Sequence, residues 1–105
     1  MADLNIRITN RTVKGVNRTC TRIGKKHGID KIVFHNESTN NAELRVDFDP
    51  VNVVKNKAGT TDLAFIKVPP NDKVVVTLDG AVGTEVKYTA TITGAAPEDP
   101  IIIID

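Results

Sequence analysis

Between residues 85 and 93 apolar and polar side chains alternate without a break. Val86, Tyr88, Ala90 and Ile92 stand against Lys87, Thr89, Thr91 and Thr93. Side chains of a strand point to opposite faces with period two, so this stretch predicts a strand with one dry and one wet face. Such strands belong to antiparallel sheets covered on one side. Leu4, Ile6 and Ile8 repeat the pattern at residues 3–9, and Leu44, Val46 and Phe48 repeat it up to Asp49-Pro50, where proline stops the ladder. Further strands are predicted at 31–35, 51–54, 63–68 and 73–78. Pro69-Pro70-Asn71-Asp72 reads as a turn with proline pre-setting φ, joining the last two as a hairpin. Asp79-Gly80 and Gly83 mark the next turn. The wholly apolar run Ile101–Ile104 must be paired or covered. At a sheet edge it would join a second copy of the chain into a homodimer. About seven short strands between Gly, Pro, Asn and Asp turns predict one domain over residues 1–105, a mainly β, antiparallel two-sheet sandwich.

Residues 12–27 break this pattern. Val13, Val16, Cys20 and Ile23 recur at spacings of three and four, and so do Arg11, Lys14, Arg18, Arg22 and Lys25. Projected at about 100° per residue the two sets fall on opposite faces, which predicts an amphipathic helix with a basic stripe. Lys25, Lys26 and His27 would sit at its C-terminus, with Gly28 as the left-handed residue beyond it. Thr12, Gly15, Val16, Asn17 and Thr19 are poor helix formers and leave an irregular strand pair turning near Asn17 as the alternative.

Composition narrows the classes of function. At 105 residues the chain is long enough for a core without staples. A single cysteine excludes an internal disulfide and a cysteine-based zinc cluster. Met1-Ala2-Asp3-Leu4 lacks a basic then apolar leader, and no apolar run matches a bilayer's thickness. A cytoplasmic protein is expected, with leaderless secretion left open and no membrane partner. The net charge of +1 conceals an uneven distribution. Residues 1–35 hold eight Lys and Arg against two acids, +6, and residues 36–105 hold six against eleven, −5.

The order of segments resembles a cupredoxin. "GIDKIVFHNEST" is similar to the strand that ends in a polar bend near the copper of that family. "VPPNDKVVVTLDGAVGTEVKYTATITG" resembles its proline-containing hairpin, followed by the glycine turn and the tyrosine-bearing strand. The resemblance covers residues 29–104 and implies a Greek-key sandwich, a pattern shared by immunoglobulin-like sandwiches. It does not bring the copper with it. A blue-copper centre takes two His and one Cys in trigonal array with a weak axial ligand. The family places Cys, His and Met soon after the tyrosine strand, where this chain has residues 89–96 without any of the three. Its first His would fall near residues 40–43, and none is there.

The candidate chemistry is therefore sparse. No nucleophile–base–orienter set and no phosphate-binding glycine motif is present, so no enzymatic activity and no cofactor is expected. The first expectation is a non-enzymatic interaction module with an unidentified protein partner. The second is an anion- or nucleic-acid-binding protein using Arg11, Lys14, Arg18, Arg22 and Lys25. Against nucleic acid stand four aromatics in all and a near-neutral total charge. The plain account of the stripe is a solvated helix face. The third expectation is a metal site built from Cys20, His27 and His35. Its plain account is a small buried thiol and two solvent-facing imidazoles.

Overall fold

A computed structural model describes residues 2–8, 13–14, 20–37, 42–92 and 101–105. Among these residues ten strands form two five-stranded sheets. The first sheet holds β1 (Ala2–Ile8), β2 (Val13–Lys14), β4 (Ile29–Asn36), β6 (Val54–Asn56) and β8 (Lys73–Leu78), in the order β2-β1-β4-β8-β6. The second holds β3 (Cys20–Ile23), β5 (Leu44–Asp49), β7 (Phe65–Val68), β9 (Glu85–Ile92) and β10 (Ile101–Ile104), in the order β3-β10-β9-β5-β7.

Alternation along each strand builds the core between the sheets. Leu4, Ile6 and Ile8 of the first sheet share one buried cluster with Leu44, Val46, Phe48, Val86, Tyr88, Ala90 and Ile92 of the second. Phe34, on the central strand of the first sheet, meets Tyr88 edge-on at 5.4 Å between ring centroids and Phe48 at 5.9 Å. Few aromatics are present, so this trio fixes how the aliphatic layers interlock. Each fully buried side chain of this size contributes about 1.5–3 kcal/mol.

The predicted sandwich and its dry faces are found, and several connections differ from expectation. Two pairings are parallel: β1 with β4, and β3 with β10. Alternation specifies which face of a strand is buried, not the direction of its neighbour. The expected helix at 12–27 is not formed. Val13–Lys14 pairs with β1, Cys20–Ile23 pairs with β10, and Lys25–His27 is a single 3-10 turn. The β-branched and glycine-rich composition of this segment agrees with the outcome, and sheet pairing overrides the helical periodicity. The alternative strand pair is not formed either, because β2 and β3 lie in different sheets, and Asn17 lies outside the described residues.

Pro69-Pro70-Asn71-Asp72 is the predicted turn. Asp72 N–H donates to Pro69 O at 3.2 Å and Asn71 has φ 58°, the left-handed position a type II turn requires. It does not close a hairpin, however: β7 pairs with β5 and β8 pairs with β4 and β6, so the turn carries the chain between sheets. The Ile101–Ile104 run is not an edge. It lies between β3 and β9, with Ile102 and Ile104 in the core, so the position expected to bind a second copy is filled from within the chain.

Candidate functional site

Three places on the sandwich bring reactive or recognition side chains together. On the outer face of the first sheet, strand register puts Arg7 opposite His35 and His35 opposite Lys73. These three residues form one row across β1, β4 and β8. His35 Nε2–H donates to Asn5 Oδ1 at 2.8 Å, which fixes the ring and leaves Nδ1 turned away from that bond. Arg7 Nη1 donates to Glu37 Oε2 at 2.9 Å, a pair in which both side chains are about half exposed. Partial burial lowers the pKa of His35. The positive charges of Arg7 and Lys73 lower it further, against an opposing pull from Glu37.

On the outer face of the second sheet, Phe65 of β7 is 41% exposed, an unusual place for a large apolar ring. The Arg45 guanidinium lies 4.1 Å from its ring centroid. Arg45 Nε and Nη2 both donate to Asp47, at 3.1 and 3.0 Å to Oδ1. The aromatic–arginine pair is thus held in place by a carboxylate. Lys67 stands directly opposite Arg45, two like charges across one strand pair. Among the described residues β7 pairs only with β5, so its other edge faces outward.

At the end of the sandwich where β4 begins, a cavity of about 500 Å³ opens over Ile23, Ile29, Leu78 and Ile104. Asp30, Asp79 and Asp105 stand at its rim. Two of these carboxylates are engaged. Asp105 accepts from His27 Nε2 at 3.0 Å and from Arg22 Nη1 at 3.1 and 3.2 Å, while Asp30 accepts from Lys31 Nζ at 3.4 Å. The hydrogen bonds from His27 and then Arg22 hold the Asp105 carboxyl below the usual carboxylate range, with burial opposing. The Asp105 group acts as a clamp on the loop between β3 and β4.

Of the residues expected to form a basic stripe, Lys14, Arg22 and Lys25 fall on three different elements. Lys14 lies in β2 of the first sheet, Arg22 in β3 of the second, and Lys25 in the 3-10 turn. Arg22 is bound to Asp105, and Arg11 and Arg18 lie outside the described residues. The expected metal set is likewise dispersed. Cys20 pairs with Ile101 in the second sheet, His35 sits on the outer face of the first, and His27 is on Asp105 at the cavity end. His35, on the outer face of the first sheet, points away from the second sheet that holds Cys20. Among the described residues no group of three His, Cys, Asp or Glu could hold a metal ion. Nor do the residues fit the copper that a cupredoxin-type fold implies. Thr89 and Thr91 of β9 offer hydroxyls on the outer face, and Ala90 and Ile92 are apolar and buried.

The Arg7–His35–Lys73 row and the Phe65–Arg45 pair went unnoticed in the sequence. The row depends on a parallel pairing between strands far apart in the chain. Phe65 carried a signal that was available: in the alternating stretch 65–68 it falls on the wet side with Lys67. No helix among the described residues is long and apolar enough to cross a membrane.

No family model matches the sequence, and no curated protein matches it. Two solved structures are similar in fold. A laccase-like multicopper oxidase, CueO, from the lignin-degrading bacterium Ochrobactrum sp. aligns over 98% of the chain with a TM-score of 0.61 and 11% identity. The chain spans about 30% of the length of that oxidase. Auracyanin B aligns over 98% of the chain and 88% of its own length, with a TM-score of 0.58 and 10% identity. Both similarities support a cupredoxin-type sandwich, and at such identities they speak for the fold alone.

Proposed function

We propose that this protein is a non-enzymatic interaction module that docks an extended segment of a partner protein along the outer edge of β7. The observation that supports this reading is Phe65, exposed on the last strand of its sheet and stacked beneath an arginine that Asp47 already holds in place. Aromatic and arginine side chains supply most of the energy at protein interfaces, and pre-orientation lowers the entropic cost of using them. An open edge adds main-chain hydrogen bonds to an incoming strand. With the charge of Arg45 balanced by Asp47, Lys67 leaves this edge net positive, which suits a partner strand carrying an acidic residue beside an apolar one. No catalytic set contributes to this reading, and it needs no metal.

The test uses the variant Phe65→Ser/Lys67→Glu, which alters exposed side chains only. Immobilised wild type and variant are challenged with cell extract, and a protein retained by the wild type is purified and titrated into both. Binding at least tenfold weaker to the variant, with unchanged circular dichroism, is the expected result. Equal affinity for both proteins would remove β7 as the docking edge.

A further inference from the structure

The outer face of the opposite sheet carries a separate site. In the first sheet, side chains at matched register positions project from the same face, one strand spacing apart. Arg7, His35 and Lys73 therefore form a row about 10 Å long, spanning two strand spacings. No acid occupies that row. The next row toward the cavity end is Asn5, Val33 and Val75, which supplies an uncharged floor. The row after it contains Lys31, already paired with Asp30.

We infer that Arg7, His35 and Lys73 form a binding site for a phosphate dianion on the outer face of the first sheet. The guanidinium of Arg7 supplies a fork suited to two oxygens, and Lys73 supplies a point charge from the other side. His35 Nε2 is committed to Asn5, which leaves Nδ1 as the ring nitrogen available to a ligand. Once protonated, Nδ1 donates to a third oxygen. A tetrahedral dianion can meet three donors arranged in this way, whereas a planar carboxylate offers two oxygens. Glu37 is the nearest competitor, and its ion pair with Arg7 is exposed enough to be displaced at little cost. Asp72, beside Lys73, is occupied by the backbone N–H of Lys73 at 2.7 Å.

The titration of His35 provides the signature. The groups acting on it are Arg7 from β1, Lys73 from β8 and Glu37 just past the end of its own strand, and together with burial their net effect disfavours the imidazolium. An anion seated among them reverses that balance, so binding takes up a proton and raises the pKa of His35. The same chemistry serves a free phosphate or a phosphorylated side chain of another molecule.

The experiment follows both imidazoles by NMR as pH is varied, with inorganic phosphate or with chloride at the same ionic strength. Phosphate is expected to raise the His35 midpoint by roughly half a unit or more, while the His27 resonances, from the other end of the molecule, do not respond to phosphate. Arg7→Gln and Lys73→Gln are each expected to weaken phosphate binding about tenfold, and Lys87→Gln on the other sheet to leave it unchanged. Superposable His35 curves in phosphate and chloride would overturn the site, as would a response that survives both row substitutions. A phosphoserine peptide is the last arm: tighter binding than inorganic phosphate assigns the site to a modified partner, and equal binding assigns it to the free ion.

Discussion

Gly24 packs its α-carbon against the backbone of Asp105, so closely that a β-carbon there would overlap the Asp105 carbonyl oxygen. The contact joins the loop after β3 to the end of β10. Asp105 N–H donates to Ile23 O at 2.7 Å, and Gly24 N–H donates to Ile29 O at 2.6 Å. Gly24 also has φ +116°, a conformation that side-chain-bearing residues rarely adopt. Two independent reasons thus require glycine at this position.

Gly24→Ala is therefore expected to lower stability by about 2–4 kcal/mol, since the neighbouring atom is backbone and cannot swing aside. Gly28 is the control. Its φ is +69°, but a β-carbon would meet nothing within 4 Å. Gly28→Ala should cost only about 1 kcal/mol, through backbone conformation alone. Urea unfolding of both variants, followed by far-ultraviolet circular dichroism, gives the two numbers. Similar losses would show that steric closure at Asp105 contributes nothing.

Asn36 is buried, with a polar side chain, and it ties the other end of the sandwich together. Its Nδ2 donates to Ala42 O at 2.8 Å and Val68 O at 2.9 Å, while its backbone N–H donates to Asp72 O. Asn36→Asp keeps the shape, removes both donors and places a carboxylate against two carbonyl oxygens. A loss of about 3 kcal/mol or more at pH 7 is expected, shrinking as the acid is protonated at lower pH. Asn36→Leu should lose about 2 kcal/mol without that pH dependence. Unfolding midpoints at pH 7 and pH 4.5 separate the two cases.

His35 predicts a second pH effect, independent of any ligand. Its folded-state pKa is lowered from the ordinary value of 6.5. The unfolded chain therefore binds the proton more readily, and stability falls as pH drops from the unfolded pKa through the folded one. The stabilisation is fully present above about pH 6.5 and is lost in the acid direction. His35→Gln should abolish that slope while keeping a donor for Asn5. A wild-type curve between pH 7.5 and 5 parallel to the variant's would contradict the assignment.

What the sequence disclosed follows from which interactions are local. Alternation over Val86, Tyr88, Ala90 and Ile92 depends only on the pleat of one strand, and it identified the buried face there and in β1 and β5. The turn at Pro69–Asp72 was legible because Pro70 and Asn71 satisfy its dihedral angles locally. Whether that turn closes a hairpin is decided elsewhere, by Phe34 and Val74 on β4 and β8 finding each other across one sheet. The same limit applies to residues 12–27. Spacings of three and four at Val13, Cys20 and Ile23 imitate a helix, yet Val13 pairs with Ile8 and Ile23 pairs with Ile104 in different sheets. The Arg7–His35–Lys73 row was hidden for this reason too, since its members become neighbours only through a parallel pairing and a crossover.

The Asp105 clamp leads to the final prediction. His27 and Arg22 both donate to its carboxylate, and these bonds depress its pKa. For an acid with a depressed folded-state pKa, the stabilisation is complete above the unfolded value near 3.8 and disappears as pH falls through the folded one. Asp105→Asn keeps an acceptor for one donor but cannot hold both or carry charge. The variant should be less stable than wild type at pH 6, and the gap should close as pH falls below about 4 and the wild-type carboxylate is protonated. High salt should narrow the gap at pH 6 as well, because the Arg22 side chain is more than half exposed. Urea midpoints at three pH values and two salt concentrations decide the matter: a gap that ignores both would place the role of Asp105 in its backbone bond to Ile23 rather than in its carboxylate.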